Sequence, residues 1–112
     1  MLRVKKHFLP PQVQTTAQIP LIGGGFAVVS LCDFHWLNRY AWRLFTGKPK
    51  NYAYRRYTVD DKTFTVKMHR EIHFAIKGDE VHHIDGNGLN NTRENLIDLS
   101  PIEHRLKHGK SR

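Results

Sequence analysis

The stretch from Val81 to Gly109, VHHIDGNGLNNTRENLIDLSPIEHRLKHG, constrains this chain most, because its punctuation admits few local folds. Val81 and Ile84 are β-prone, and Gly86-Asn87-Gly88 supplies a turn, so a strand is expected over 81–85. Asn90 to Asn95 is rich in loop formers whose side chains bond nearby backbone groups. Leu96, Ile97 and Leu99 give a second short apolar run that can pair back on the first. Ser100-Pro101 then opens a helix, with Ser100 as N-cap, Pro101 at the first position and Glu103 at the third. The expected order is strand, loop, strand, helix.

Four of the eight histidines fall in this segment. Neighbouring residues on a strand point to opposite sides, so His82 and His83 suit different tasks. One can bind a metal while the other is free to take a proton. His104 and His108 are four apart and share one face of the last helix. His82, His104 and His108 together can hold Zn²⁺ or a similar cation and leave a position open for substrate. Metal-assisted hydrolysis needs that cation and a general base beside it. The plain alternatives are a structural metal site, or core histidines at no site.

The rest of the chain limits the setting. At 112 residues it reads as one domain, for which a metal would be a useful support. A formal net charge of +8 favours a polyanionic partner, most often nucleic acid, over a functionally neutral basic surface. The longest apolar run, Phe26–Val29, is far too short to span a bilayer, and no membrane partner is expected. Arg3, Lys5 and Lys6 are not followed by the apolar core of a signal peptide. The single cysteine, Cys32, allows no internal disulfide, suits a reducing cytoplasm and excludes a Cys-rich zinc site.

Before the histidine segment the chain reads as short elements. Residues 1–18 read as a flexible leader broken by Pro10-Pro11. Ile19 to Ser30 reads as a β-hairpin turning at Gly23-Gly24-Gly25, and no Gly-Lys-Ser/Thr follows to make that turn a nucleotide site. Ser30 to Tyr40 reads as a helix capped by Ser30 or Asp33, with Trp36 and Trp42 as packing residues. Arg43 to Lys50 reads as a polar connection. Tyr52–Thr58 and Thr63–Met68 alternate with period two and read as a hairpin presenting Arg, Tyr, Lys and Thr on one face. Such a ribbon can lie along a DNA groove; it fits an ordinary half-buried hairpin equally well. His69 to Lys77 reads as a short helix closing near Gly78. His69 and His73, four apart on it, form a weaker rival metal pair.

HHIDGNGLNNTRENL followed by EHRLKH resembles the HNH nucleases, also called His-Me finger or ββα-metal nucleases. It is closest to the small phage and intron-associated homing-type members. WLNRYAW, Tyr52-Ala53 and Lys67-Met68-His69-Arg70 are also similar to those proteins, so the resemblance runs from about Ile19 to Gly109. It implies an α+β fold: N-terminal antiparallel β-hairpins with short helices, then a C-terminal ββα-metal motif. Residues 19–112 would form one endonuclease domain, with 19–78 a β-rich DNA-contacting part and 79–110 the catalytic motif. His83 would be the general base that activates water for attack on a phosphodiester. Asn95 would hold the base-bearing loop in shape. His82, His104 and His108 would be metal ligands. Homing-type members often have Asp where this chain has His82, and a nitrogen-rich site suits Zn²⁺, Ni²⁺ or Mn²⁺ better than Mg²⁺.

The activity this implies is divalent-metal-dependent cleavage of double-stranded DNA, by nicking or double-strand breakage, with no small-molecule cofactor. For a phage-encoded protein the place would be the cytoplasm of a bacterial host. Arg55, Arg56, Lys67, Arg70, Arg105 and Lys107 would neutralise phosphates. The rivals are a non-catalytic DNA-binding module with a structural metal, and a nuclease directed at RNA, since general-base activation of water needs no 2′-OH.

Overall fold

The computed structural model describes residues 15–48, 50–75 and 78–100. They fold as α+β, mostly strands with two short helices. The chain begins with an antiparallel hairpin of β1 (Thr16–Pro20) and β2 (Phe26–Ser30). Pairing therefore starts at Thr16, inside the stretch expected to be leader. Gly23, Gly24 and Gly25 all take positive φ, which explains three glycines where the chain reverses.

Helix α1 (Leu31–Leu37) is shorter than the expected Ser30–Tyr40. Ser30 makes no side-chain cap bond to it; its Oγ instead accepts from the Arg93 amide at 2.8 Å. Asp33 does not cap it either. Asp33 is buried and takes two charge-assisted bonds from the Arg93 guanidinium, each at 2.7 Å. Burial pushes its pKa up, but Arg93 and Trp36 outweigh that and hold it below its ordinary value. Trp42 ends the helical region by donating from its indole to the Leu37 carbonyl at 2.8 Å. It is buried, as its packing role requires.

The expected polar connection over 43–50 contains a strand, β3 (Arg43–Phe45). It pairs antiparallel with β4 (Tyr52–Val59), which pairs with β5 (Lys62–Lys67). Sequence periodicity misses β3 because three residues are too few to show a period. The β4–β5 turn uses Asp60 and Asp61 at φ 51° and 65°, the left-handed pair that a tight hairpin demands and that Asp tolerates. Helix α2 (Met68–His73) starts one residue before the expected His69 and stops earlier. Phe74, at φ 50°, closes it, not Gly78.

The segment from residue 80 forms β6 (Glu80–His83) and β8 (Leu96–Leu99), antiparallel as expected, with His83 opposite Leu96 and His82 opposite Ile97. Between them, Asn90–Asn91 forms a two-residue strand, β7, parallel to β2, and Arg93–Asn95 a single 3-10 turn. Asparagine pattern suggests only a loop there. Tertiary context overrides it, because β2 has an open edge and the Val28 amide donates to the Leu89 carbonyl at 2.8 Å. The core lies between these layers: Ile19, Val29, Leu37, Trp42, Ala53, Met68, Ile72, Val81 and Leu96 pack as one cluster. The helix expected after Ser100, which the expected ββα motif requires, lies outside the described residues. Among the described residues no helix is long and apolar enough to cross a membrane.

Candidate functional site

Strand β6 delivers the two histidines to opposite sides. His83 turns inward and is only 2 % exposed, while His82 is half-buried on the other side. The parallel pairing of β7 on β2 drives the Asn91 side chain into the core beside His83. His83 Nε2 lies 2.7 Å from Asn91 Oδ1. The Asn91 amide nitrogen points to Met68 Sδ at 3.2 Å, which orients the amide with its oxygen toward the imidazole. An amide oxygen only accepts, so Nε2 carries the hydrogen and Nδ1 keeps its lone pair. Burial pushes the His83 pKa below its ordinary value; the Asn91 bond opposes this, and Lys50 adds to it. The ring is therefore neutral at physiological pH, with one nitrogen able to accept a proton.

Asn95 staples the loop that follows His83. Its Oδ1 accepts from the Asp85 amide at 3.0 Å, and its Nδ2 donates to Asp85 Oδ1 at 2.9 Å and to the Asn90 carbonyl at 2.7 Å. Asp85 also accepts from the Asn87 amide at 2.8 Å and from Asn90 Nδ2 at 2.9 Å. The Asn90 amide, the Asn87 amide and Asn95 hold the Asp85 carboxylate ionised, with its pKa drawn down to about 2. Gly86, at φ 79°, permits the turn. A Cβ on Gly88 would strike the Asn51 carbonyl, so only glycine lets the Lys50–Asn51 loop approach this closely.

His69 enters the same site from α2. Its ring centroid is 4.7 Å from that of His83 and 6.1 Å from that of Tyr52. Its Nδ1 is buried and has no hydrogen-bond partner among the described residues. Burial first, then His83, Lys67, Arg70 and Lys50, lower its pKa to about 3. His73 goes elsewhere: its Nδ1 meets Asp98 Oδ1 at 2.9 Å, tying α2 to β8. The two histidines of the rival pair are thus separated in use, although one of them joins the main site.

His69 and His83 line a cleft of about 320 Å³, together with Phe45, Lys48, Lys50, Tyr52, Lys67, Glu80 and Val81. Beyond it lies the open face of β3–β4–β5. There Tyr52, Tyr54 and Arg56 alternate along β4, with Thr65 and Lys67 beside them on β5. Arg55 faces the other way. Its guanidinium makes two bonds to Glu71, at 3.0 and 2.7 Å, and lies 3.9 Å from the centre of the Tyr40 ring. Arg70 donates to the Asp79 carbonyl at 2.6 Å. Of the expected phosphate contacts, Arg56 and Lys67 are therefore on the open face, whereas Arg55 is held internally. Arg105, Lys107, His104 and His108 lie outside the described residues.

Among the described residues no group of three or more His, Cys, Asp or Glu is gathered for a metal. Of the expected ligands they contain His82 alone, a nitrogen donor one strand position from His83. Its chemistry fits an imidazole-preferring divalent ion. Sequence reasoning named His69 only as half of a rival metal pair with His73, and it passed over Asn91 and Lys50. The adjacent Asn90-Asn91 pair was a signal that side chains there bond something specific; the roles of His69 and Lys50 depend on tertiary packing that no local spacing records. No family model, curated protein or solved structure matches the chain.

Proposed function

We propose that this protein is a metal-dependent DNA endonuclease of the HNH type, hydrolysing phosphodiester bonds. The observation that carries the reading is the state of His83: Nε2 is committed to Asn91, Nδ1 has no hydrogen-bond partner among the described residues, and the ring is neutral beside a cleft rich in lysine. A general base needs that combination of fixed orientation and available lone pair. His83 takes the proton of a water as its oxygen attacks phosphorus, and the bond to the 3′-oxygen breaks. Asn91 fixes the tautomer and carries no proton away. Asn95 keeps the loop after the base closed through Asp85. His82, with His104 and His108, would hold the divalent ion, whose chemistry when bound is to offset charge on the phosphorane and the departing oxygen. Arg56 and Lys67 meet the strand on the open sheet face.

The depth of His83 favours one rival, the DNA-binding module with a structural metal, since a base must meet its water. One substitution separates them. His83→Ala is expected to abolish nicking of supercoiled plasmid in Mg²⁺, Mn²⁺, Ni²⁺ and Zn²⁺ alike, while DNA binding stays within a few-fold of wild type. A variant that cuts at the wild-type rate removes His83 from the mechanism. A wild-type protein that binds plasmid and never nicks it leaves the binding module standing.

A further inference from the structure

Two arginines of the fold each have a carboxylate: Arg55 has Glu71 and Arg93 has Asp33. Among the described residues the lysines of the histidine cleft do not. Lys48 and Lys50 follow β3, Lys67 ends β5, and all three line the same cleft. Among the described residues none of them forms a salt bridge. Glu80 also lines the cleft, but it is one carboxylate against three ammonium groups, and it is exposed. Lys67 Nζ lies 5.0 Å from the centre of the Tyr52 ring, and Tyr52 stacks on Phe45 with centroids 4.5 Å apart. One wall of the cleft is thus apolar, which strengthens any charge attraction beside it. The Lys50 loop is also held in place, because its backbone rests against Gly88 of the loop that follows His83. A solvated basic surface needs neither the convergence nor that docking.

We propose that this cleft is a phosphate-binding subsite in which Lys48, Lys50 and Lys67 grip one phosphate group of a nucleic-acid strand beside His83. The nucleic-acid source of the phosphate rests on the nuclease reading above; the anion site itself rests on the cleft. The three ammonium groups come from two separate segments, so the site forms only in the folded chain. It binds the non-bridging oxygens by charge-assisted hydrogen bonds. Lys50 acts at the site nearest the base and is a positioning residue for the strand, not a group that moves a proton.

The test is the histidine ring proton spectrum of the full chain, titrated with inorganic phosphate and, separately, with a short DNA duplex. The His83 and His69 signals are expected to move with phosphate, and those of the exposed His35 to stay. In Lys50→Gln/Lys67→Gln the phosphate affinity should fall at least about tenfold. Lys62→Gln, at the far hairpin turn, should leave it unchanged, and Lys50→Arg should restore most of it in the single-substitution background. DNA should move the same two rings and compete with phosphate. No movement of His83 and His69, or movement that survives the double substitution in a folded protein, overturns the subsite. Phosphate binding without competition from DNA overturns the nucleic-acid source and leaves a free-phosphate site. The two readings fail separately. Plasmid nicking without phosphate in the cleft sinks the subsite alone, and a lysine-dependent phosphate site without nicking in any metal sinks the nuclease alone.

Discussion

Two loops of this molecule reverse the chain between antiparallel strands, and they are held by different means. The loop from Ile84 to Asn95 is fastened by side chains. Asp85, Asn87, Asn90 and Asn95 all bond backbone or one another inside it. The β4–β5 turn at Asp60-Asp61 is held by its strand ladder and by exposed contacts: Thr58 to Thr63 at 3.2 Å, and Tyr57 stacked on Phe64 at 5.4 Å. The first loop follows His83 directly and is tied around the Asp85 carboxylate, with the buried Asn95 amide at its centre. The other projects from the sheet and needs only to keep its register. The difference predicts where substitutions cost stability and where they do not.

The largest effect should come from Asn95→Ala. Asn95 is buried, and removing its amide leaves the Asp85 N–H and the Asn90 carbonyl without their partners. Both bonds are part-buried, so the freed groups recover some hydration and the loss should be about 2 kcal/mol. Urea unfolding should give that value, with amide exchange accelerated first over residues 85–90. A loss below about 0.5 kcal/mol would mean that the side-chain staples do not hold the loop, and the comparison would collapse.

Next comes the pH dependence set by His69. Its folded pKa is about 3 against an ordinary value of 6.5, so between those values the unfolded chain binds a proton that the folded chain does not. The stability it permits is complete above pH 6.5 and declines as pH falls through that window. The slope per proton is about 1.4 kcal/mol per pH unit. His69→Leu removes the group and also the orphaned Nδ1. It should flatten the slope of stability against pH between 6 and 4, and at neutral pH it should be close to neutral or stabilising. A slope unchanged from wild type would assign the acid sensitivity to His83, which is buried and shifted in the same direction.

Much of this architecture was legible in the residues, and the gaps have physical causes. The hairpin at Gly23–Gly25, the long β4–β5 pair and the antiparallel return of Leu96–Leu99 on Val81 all follow from turn chemistry and period two. The short strands β3 and β7 exist only because a neighbouring edge recruits them. At the site, the opposite orientation of His82 and His83 is dictated by the pleat. Which nitrogen His83 keeps free is dictated by Asn91, and that depends on β7 finding β2. Arg55 and Arg56 show the same divide: alternation separates their faces, but only packing shows that Glu71 waits on one of them.

The smallest effect tests the weaker loop. Phe64→Ser removes an aromatic cross-strand partner from a pair in which Tyr57 is 42 % and Phe64 43 % exposed. A cross-strand aromatic pair contributes roughly 0.2–1 kcal/mol, and so exposed a ring loses little hydrophobic burial. Thermal unfolding should therefore shift by about 1 kcal/mol or less, and plasmid nicking should persist near the wild-type rate. If stability fell as far as in Asn95→Ala, the hairpin tip would be packing as a core element and the contrast between the two loops would be lost. If stability held and DNA binding fell sharply, the exposed ring pair would belong to the nucleic-acid surface. The face of β4–β5 opposite Arg56 and Lys67 would then also touch the strand, and the proposed path along one sheet face would have to be redrawn.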